Sequence, residues 1–332
     1  IFRLVFLFTE PYLSQDFYRF IWDGHLVANA INPYLHTPNE LIKNMATLIP
    51  NANQLYEGMG SLSAKHYSNY PPINQLIFGL AALIGGKSMF GSLVVMRITI
   101  ILADLGIFYF GRKLLKNLNK SPQLIFWYFL NPLVIIELTG NLHFEGVMLF
   151  FFISSMFLLT IEKWKLVPLL FLLLFLRYLG WKRSIVFYFI IGSTSILLFA
   201  PFYTPEFIGN YTKTLSLWFS NFEFNASIYN IIKGTAVQFD AKPWEFIKIY
   251  GKITPILTII MVILFTFLPK RKDLNGVFAS MMWVLAIYYF MSTTVHPWYC
   301  IFLVLLAIFT SYRYAIIWSA AIVLSYFAYS QP

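Results

Sequence analysis

Charge is scarce in this sequence. Asp, Glu, Lys and Arg together make up 11% of its 332 residues, less than half of the roughly 25% found in a soluble globular domain. That argues against an ordinary water-soluble fold. With 59% hydrophobic residues and long uncharged runs, it points to a polytopic membrane protein. Cysteine is nearly absent. Cys300 is the single one, which excludes an intrachain disulfide framework and leaves the redox compartment open. Acidic residues number 14 against 24 basic ones. The net charge of +10 does not call for nucleic acid, because the basic residues cluster briefly between apolar runs, as the positive-inside bias requires. No repeat or low-complexity tract is present. Nor does a glycine-rich phosphate loop follow a strand, so no nucleotide-sugar site of the Rossmann kind is visible.

What is present is a series of apolar runs near 73–86, 89–111, 121–138, 146–161, 166–176, 184–201, 252–268, 277–293, 299–311 and 314–329. The expected fold is all-α, with about nine to eleven membrane helices, some of them short or re-entrant. The opening "IFRLVFLF" is too short to span and carries no cleavage signal. It reads as the latter part of a first membrane helix, so the chain is expected to be an N-terminally truncated fragment forming a single transmembrane domain over 1–332. Two polar stretches interrupt the runs: residues 9–72, the expected first outer loop, and residues 202–250, the expected second.

Basic clusters at Arg112, Lys113, Lys116 and Lys120, at Lys163 and Lys165, at Arg177, Lys182 and Arg183, and at Lys270, Arg271 and Lys272 orient the chain. If all face the cytoplasm, then 166–176 dips in without crossing, and one of the runs 73–86 and 89–111 is re-entrant. His143, Glu145, the stretch 204–250 and His296 then fall on the opposite side. The segment "SQDFYRFIWDG" joins them if the first helix crosses outward.

Three constellations carry candidate chemistry. In "SQDFYRFIWDGHLVANAINPY", Ser14 to Tyr34, helical spacing puts Asp16, Arg19 and Asp23 within about 60° of one another. Paired carboxylates at a membrane face suit a general base and a substrate-orienting group. An interfacial helix with a solvated Asp16–Arg19 pair would carry the same residues. In "NPLVIIELTGNLHFEG", Asn131 to Gly146, Glu137, Asn141, His143 and Glu145 crowd at a membrane boundary, where ionisable groups are costly and suggest function. A third ligand at metal-binding spacing is missing there. In "HPWYC", His296 to Cys300, Trp298 and Tyr299 read as interfacial aromatics, and His296 as a donor to phosphate or sugar hydroxyls or a plain interfacial histidine. Arg97 and Asp104 share one face of an apolar run and should satisfy each other or a neighbour.

Together these stretches resemble the GT-C superfamily of polyprenyl-phosphate-sugar-dependent mannosyltransferases, in particular the bacterial multi-spanning group. The matching residues are Asp16, Tyr18, Arg19, Trp22, Asp23 and Gly24; Asn32, Pro33 and Tyr34; Tyr70, Pro71 and Pro72; Gly140, Asn141, His143 and Glu145; and His296, Pro297, Trp298 and Tyr299. More distantly, the pattern is similar to the first mannosyltransferase of glycosylphosphatidylinositol assembly. His25 stands where many members have Arg, and Ala30 where Gly is common.

The resemblance implies a GT-C-like helical bundle with juxtamembrane helices in the first outer loop. It also implies an inverting integral-membrane glycosyltransferase in the bacterial inner membrane, with its site on the periplasmic face. The donor would be a polyprenyl-phosphate hexose, mannose by family, and the acceptor a glycan or glycolipid. Asp16 would be the catalytic base. Arg19, Asp23, His25, Tyr34, Asn141, His143, Glu145, His296 and Tyr299 would bind substrate or donor. No protein-held cofactor is implied, a divalent metal is not required, and the partners are the lipid-linked donor, the acceptor and the bilayer. The competing class is a transporter or flippase of a lipid-linked or anionic substrate, which should place its charges at the midplane of two matching halves; no such symmetry is visible.

Overall fold

A computed structural model describes residues 1–44, 46–161, 172–220, 222–240, 242–268 and 272–326. Lys163, Lys165, the first part of the run 166–176, Lys270 and Arg271 lie outside the described residues. Among the described residues the structure is helical, with one isolated β-bridge, Phe224 to Thr294. The expected all-α membrane fold is what forms. Met89–Asn117, Trp181–Phe202, Pro243–Phe267 and Leu274–Met291 are long and apolar enough to cross a bilayer. The run 121–138 is not one straight span. It breaks into Pro122–Phe129 and Pro132–Gly140, bent by 58°, with Asn131 capping the second piece by accepting from the Leu133 N–H at 3.0 Å. Proline at position 132 has no N–H to continue the first helix.

Pro72–Gly85, Glu145–Thr160, Pro297–Phe309 and Tyr314–Tyr326 are shorter apolar helices. Pro72–Gly85 has 14 residues and rises only about 21 Å, short of the roughly 30 Å hydrocarbon core.

The chain divides into two compact units. The first comprises Ile1–Leu105, Ile135–Met148 and Ser193–Leu215. Its centre is the helix Asp16–Ala28 packed on Pro72–Gly85. Glycine makes this approach possible: a Cβ on Gly24 would stand 2.3 Å from the Phe78 carbonyl oxygen. The packed face buries Phe17, Phe20, Ile21, Trp22 and Leu26, each contributing roughly 1.5–3 kcal/mol for a fully buried large apolar side chain.

The same helix ends in a Schellman turn. Ile31 N–H donates to the Leu26 carbonyl at 2.8 Å and Ala30 N–H to Val27 at 3.0 Å. Ala30 therefore sits at φ 55°, a left-handed conformation that glycine adopts without strain.

Two buried arginines tie the N-terminal turn to the rest of this unit. Arg3 pairs with Asp104 at 2.6 Å. Arg97, fully buried, donates to the carbonyls of Thr139 at 3.0 Å, Gly140 at 3.2 Å and Leu7 at 3.3 Å, and to that of Thr9. Of the two outcomes open to Arg97 and Asp104, each satisfies a neighbour rather than the other.

The second unit comprises Gly106–Val134, Leu149–Gly192 and Ser216–Pro332. Cys300–Phe309 is apolar all round and buried at every position, the signature of a helix surrounded by protein. Leu274–Met291 is capped by Asp273, whose carboxylate accepts from the Gly276 N–H at 3.0 Å.

Candidate active site

The first unit brings the opening segment and the Asn141–Glu145 turn together. Asp16 is the first residue of its helix, with its N–H on the Ser14 hydroxyl at 3.3 Å. Its Oδ2 lies 3.9 Å from Nε2 of His143. Across the imidazole, Nδ1 of His143 is 3.1 Å from both Oε2 and the backbone carbonyl of Glu137. Glu137 is fully buried, and its Oε2 also accepts from Asn141 Nδ2 at 3.2 Å. The result is a line of carboxylate, imidazole and carboxylate in which one end is buried and anchored and the other, Asp16, keeps 40% of its side-chain surface accessible.

Local backbone geometry produces this line. Residues Ile135–Gly140 form a π-helical turn, a rare element that recurs at functional sites. The turn is held at its end by the carbonyl bonds of Arg97. Leu142 follows at φ 62° and is fully buried. A branched, non-glycine residue in this region carries strain of about 1–3 kcal/mol. Asn141 N–H donates to the Ile136 carbonyl at 2.8 Å and His143 N–H to that of Glu137 at 3.1 Å, so that Asn141 stands beside Glu137 and His143 beside Asp16.

The electrostatics separate the two partners. Asp16 is accessible yet hemmed in by protein, and this desolvation pushes its carboxyl above the ordinary value against the opposing pull of His143 and Ser14. Burial alone would lower His143, but the Glu137 hydrogen bond and the charges of Glu145, Glu137 and Asp16 outweigh it and hold the imidazole above its ordinary value. Glu145, half-buried at the start of its helix, lies within reach of the charges of His143, Asp16 and Glu137.

Asp23 and Arg19 occupy a different environment. Asp23 has no exposed surface, and both oxygens are engaged. Oδ1 accepts from Arg19 Nε at 2.8 Å, and Oδ2 from Ser68 at 2.6 Å and Gln75 at 3.1 Å. Arg19, 3% exposed, also donates to the carbonyls of Ser63 at 2.7 Å and His66 at 3.0 Å. This network staples the loop 63–68 to the helix. His25 is buried, and burial lowers its pKa.

Tyr34 is fully buried against Phe202 and Phe207, donates to the Tyr70 carbonyl at 2.5 Å and accepts at its own carbonyl from Asn210 at 3.1 Å. It joins the two polar stretches of the first unit. His296 and Tyr299 belong to the second unit, where His296 stacks on Trp298 at 4.3 Å and on Phe224 at 5.2 Å, and Tyr299 on Tyr289 at 5.7 Å. Among the described residues no group of three or more His, Cys, Asp or Glu is arranged to hold a metal ion.

Two residues noted in the sequence, but not given a catalytic or binding role there, also contribute. Glu137 lies six positions before His143, a spacing that no regular helix turns into a contact; only the π-helical turn does. Tyr70 is the second; its ring packs edge-on against Phe20 at 5.0 Å and Phe78 at 5.7 Å. Burial and the neighbouring Asp16 charge raise its phenol, with Arg19 pulling the other way, so it remains a proton donor.

A reachable carboxylate backed by a histidine is an arrangement that can take a proton from a hydroxyl, whereas a helical membrane fold by itself does not specify a reaction. Comparison with known proteins gives the family. The profile described as alpha-(1->6)-mannopyranosyltransferase, N-terminal domain, matches residues 3–179, over half of the chain, and the chain belongs to that mannosyltransferase family. A curated relative, alpha-(1->6)-mannopyranosyltransferase B of Corynebacterium glutamicum, is 26% identical over 151 residues, 45% of this chain and 24% of that protein. The chain thus covers about a quarter of that relative's length. No solved structure matches.

Proposed function

We propose that this protein is an integral membrane glycosyltransferase that moves a hexose, mannose by family, from a polyprenyl-phosphate donor to a glycan or glycolipid acceptor with inversion at the anomeric carbon. The observation that carries the reading is the accessible Asp16 carboxylate 3.9 Å from His143, itself anchored by buried Glu137. The acceptor hydroxyl gives its proton to Asp16 as its oxygen forms a bond to the anomeric carbon. The bond from that carbon to the phosphate oxygen breaks on the opposite face, and the electron pair leaves with the phosphate.

Phosphate is a good leaving group, so no strong general acid is required. What the site supplies is a base of raised pKa and fixed positive character nearby. His143, held toward its cationic form, keeps Asp16 ionised and stands where an anion can approach. Arg19 contributes by holding Asp23 and the 63–68 loop, and Tyr70 offers a neutral donor. The acceptor, the donor lipid and the periplasmic placement of the site belong to this proposal.

The test is transfer of labelled mannose from a polyprenyl-phosphate donor in membranes carrying wild type or Asp16→Asn. Loss of transfer at equal protein level supports the reading. Full activity in the variant removes Asp16 from its role.

A further inference from the structure

The second unit contains a shallow open recess of about 70 Å³. Six of its lining residues carry a hydroxyl: Thr254, Tyr288, Ser292, Thr293, Thr294 and Tyr299. Among the described residues, no carboxylate, ammonium, guanidinium or imidazole lines it.

The rim is held in place. Phe224 N–H donates to the Thr293 carbonyl at 2.9 Å, and Val295 N–H to the Phe224 carbonyl at 2.8 Å. Thr294 Oγ1 donates to Phe222 at 2.9 Å, and Asn225 Nδ2 to Val295 at 3.1 Å. These four bonds fix the extended segment 293–295 against 222–225.

The hydroxyl protons of Thr254 and Ser292 are used on the carbonyls of Tyr250 at 3.1 Å and Tyr288 at 2.7 Å; the Ser292 oxygen also pairs with the Tyr288 phenol, and the remaining lone pairs of these groups are acceptors. The Thr293 hydroxyl has no hydrogen-bond partner among the described residues. A fixed, uncharged wall of hydroxyl acceptors with two phenol rings matches a ligand that is rich in hydroxyl donors and has apolar ring faces. An anion would find no cation here, and a lipid tail would leave the polar groups unpaired.

We propose that this recess is a sugar-binding subsite that takes an edge of a neutral hexopyranose unit of the acceptor glycan, a reading that rests on the glycosyltransferase function above. The residues Thr293 and Tyr288 make direct hydrogen bonds to the sugar, and Ser292, Thr254 and Thr294 complete the acceptor wall.

The experiment uses the full chain in lipid nanodiscs with mannotetraose as the probe, measured by saturation-transfer difference NMR and titration. Wild type shows transfer to the sugar protons. The double variant Thr293→Val with Tyr288→Phe weakens binding about tenfold, as expected for two lost hydrogen bonds, and raises the KM for acceptor while leaving the KM for donor unchanged. Thr293→Ser, which keeps the hydroxyl, binds as wild type does.

Absence of saturation transfer in wild type overturns the proposal. So does equal affinity in a double variant whose melting temperature matches wild type. Mannotetraose binding to Asp16→Asn separates the two readings: binding retained with transfer retained would remove only the catalytic assignment, and binding lost in the double variant would still stand for the subsite.

Discussion

Asp16 and Asp23 stand seven residues apart on one helix and share its polar stripe, yet their surroundings oppose each other. Asp23 is fully buried, with three side-chain donors on its two oxygens. Asp16 keeps 40% of its side-chain surface and faces an imidazole 3.9 Å away. Burial with full satisfaction makes a carboxylate a structural anchor, because any change leaves partners unpaired in a low-dielectric interior. Partial access with incomplete satisfaction makes it available to a substrate proton. The same residue type on the same face has been divided into a sealed and a reachable carboxylate by neighbours from Ser68, Gln75 and the His143 turn.

The sharpest way to break this comparison is to remove each charge in turn. Asp16→Asn should lower transfer by about 10²–10⁴-fold, the range for loss of a general base, with little change in melting temperature. Membrane assays with labelled donor, alongside thermal unfolding in detergent, read both quantities. A large loss of stability in this variant would place Asp16 with Asp23 instead.

Asp23→Ala should do the reverse. Stability should fall by about 3–5 kcal/mol, as for a buried pair that loses one partner, and denaturant titration of the purified protein would measure it. Wild-type stability in Asp23→Ala would mean that the network around Arg19 holds nothing.

The third test acts through pH. Asp16 must be ionised to accept a proton, and its pKa is raised above 3.8 by burial while His143 pulls it down. Transfer should therefore fall as pH drops through that raised value. Removing the imidazole in His143→Gln takes away the downward pull, so the acidic limb of kcat/KM should move to higher pH, with a rate loss of about tenfold or more. An unmoved limb would sever His143 from Asp16. Glu137→Gln should shift the limb in the same direction by less, because the imidazole remains but loses the carboxylate that favours its charge.

The smallest effect is expected at the end of the helix that carries both aspartates. Ala30→Gly should raise stability by about 1 kcal/mol by relieving a left-handed alanine. A decrease would show that the Schellman turn is not strained at this position.

Much of the architecture was legible in advance. Low charge and long apolar runs gave the all-α membrane fold, and most of the helices lie where those runs are. The paired segments at Ser14–Tyr34 and Asn131–Gly146 stood out because ionisable residues are expensive beside a membrane, and Asp16 of the one and His143 of the other do meet in the first unit. Helical periodicity placed Asp16, Arg19 and Asp23 on one stripe but was silent on depth, so it could not tell which of the three would be sealed by Ser63, His66 and Ser68 and by Gln75 of the helix Pro72–Gly85, all remote in sequence. The run 121–138 read as continuous because hydropathy averages over the break at Asn131. The π-helical turn that joins Glu137 to His143 has no sequence period of its own.

By itself, then, the sequence determined that this chain would fold as helices in a bilayer and that its few charges would be concentrated in particular turns, because burying peptide groups and charge in hydrocarbon leaves no cheaper arrangement. Only the tertiary structure decided which carboxylate stays reachable and which one is sealed. Desolvation and hydrogen-bond satisfaction depend on atoms brought in from remote segments, and those atoms are set by packing rather than by local pattern.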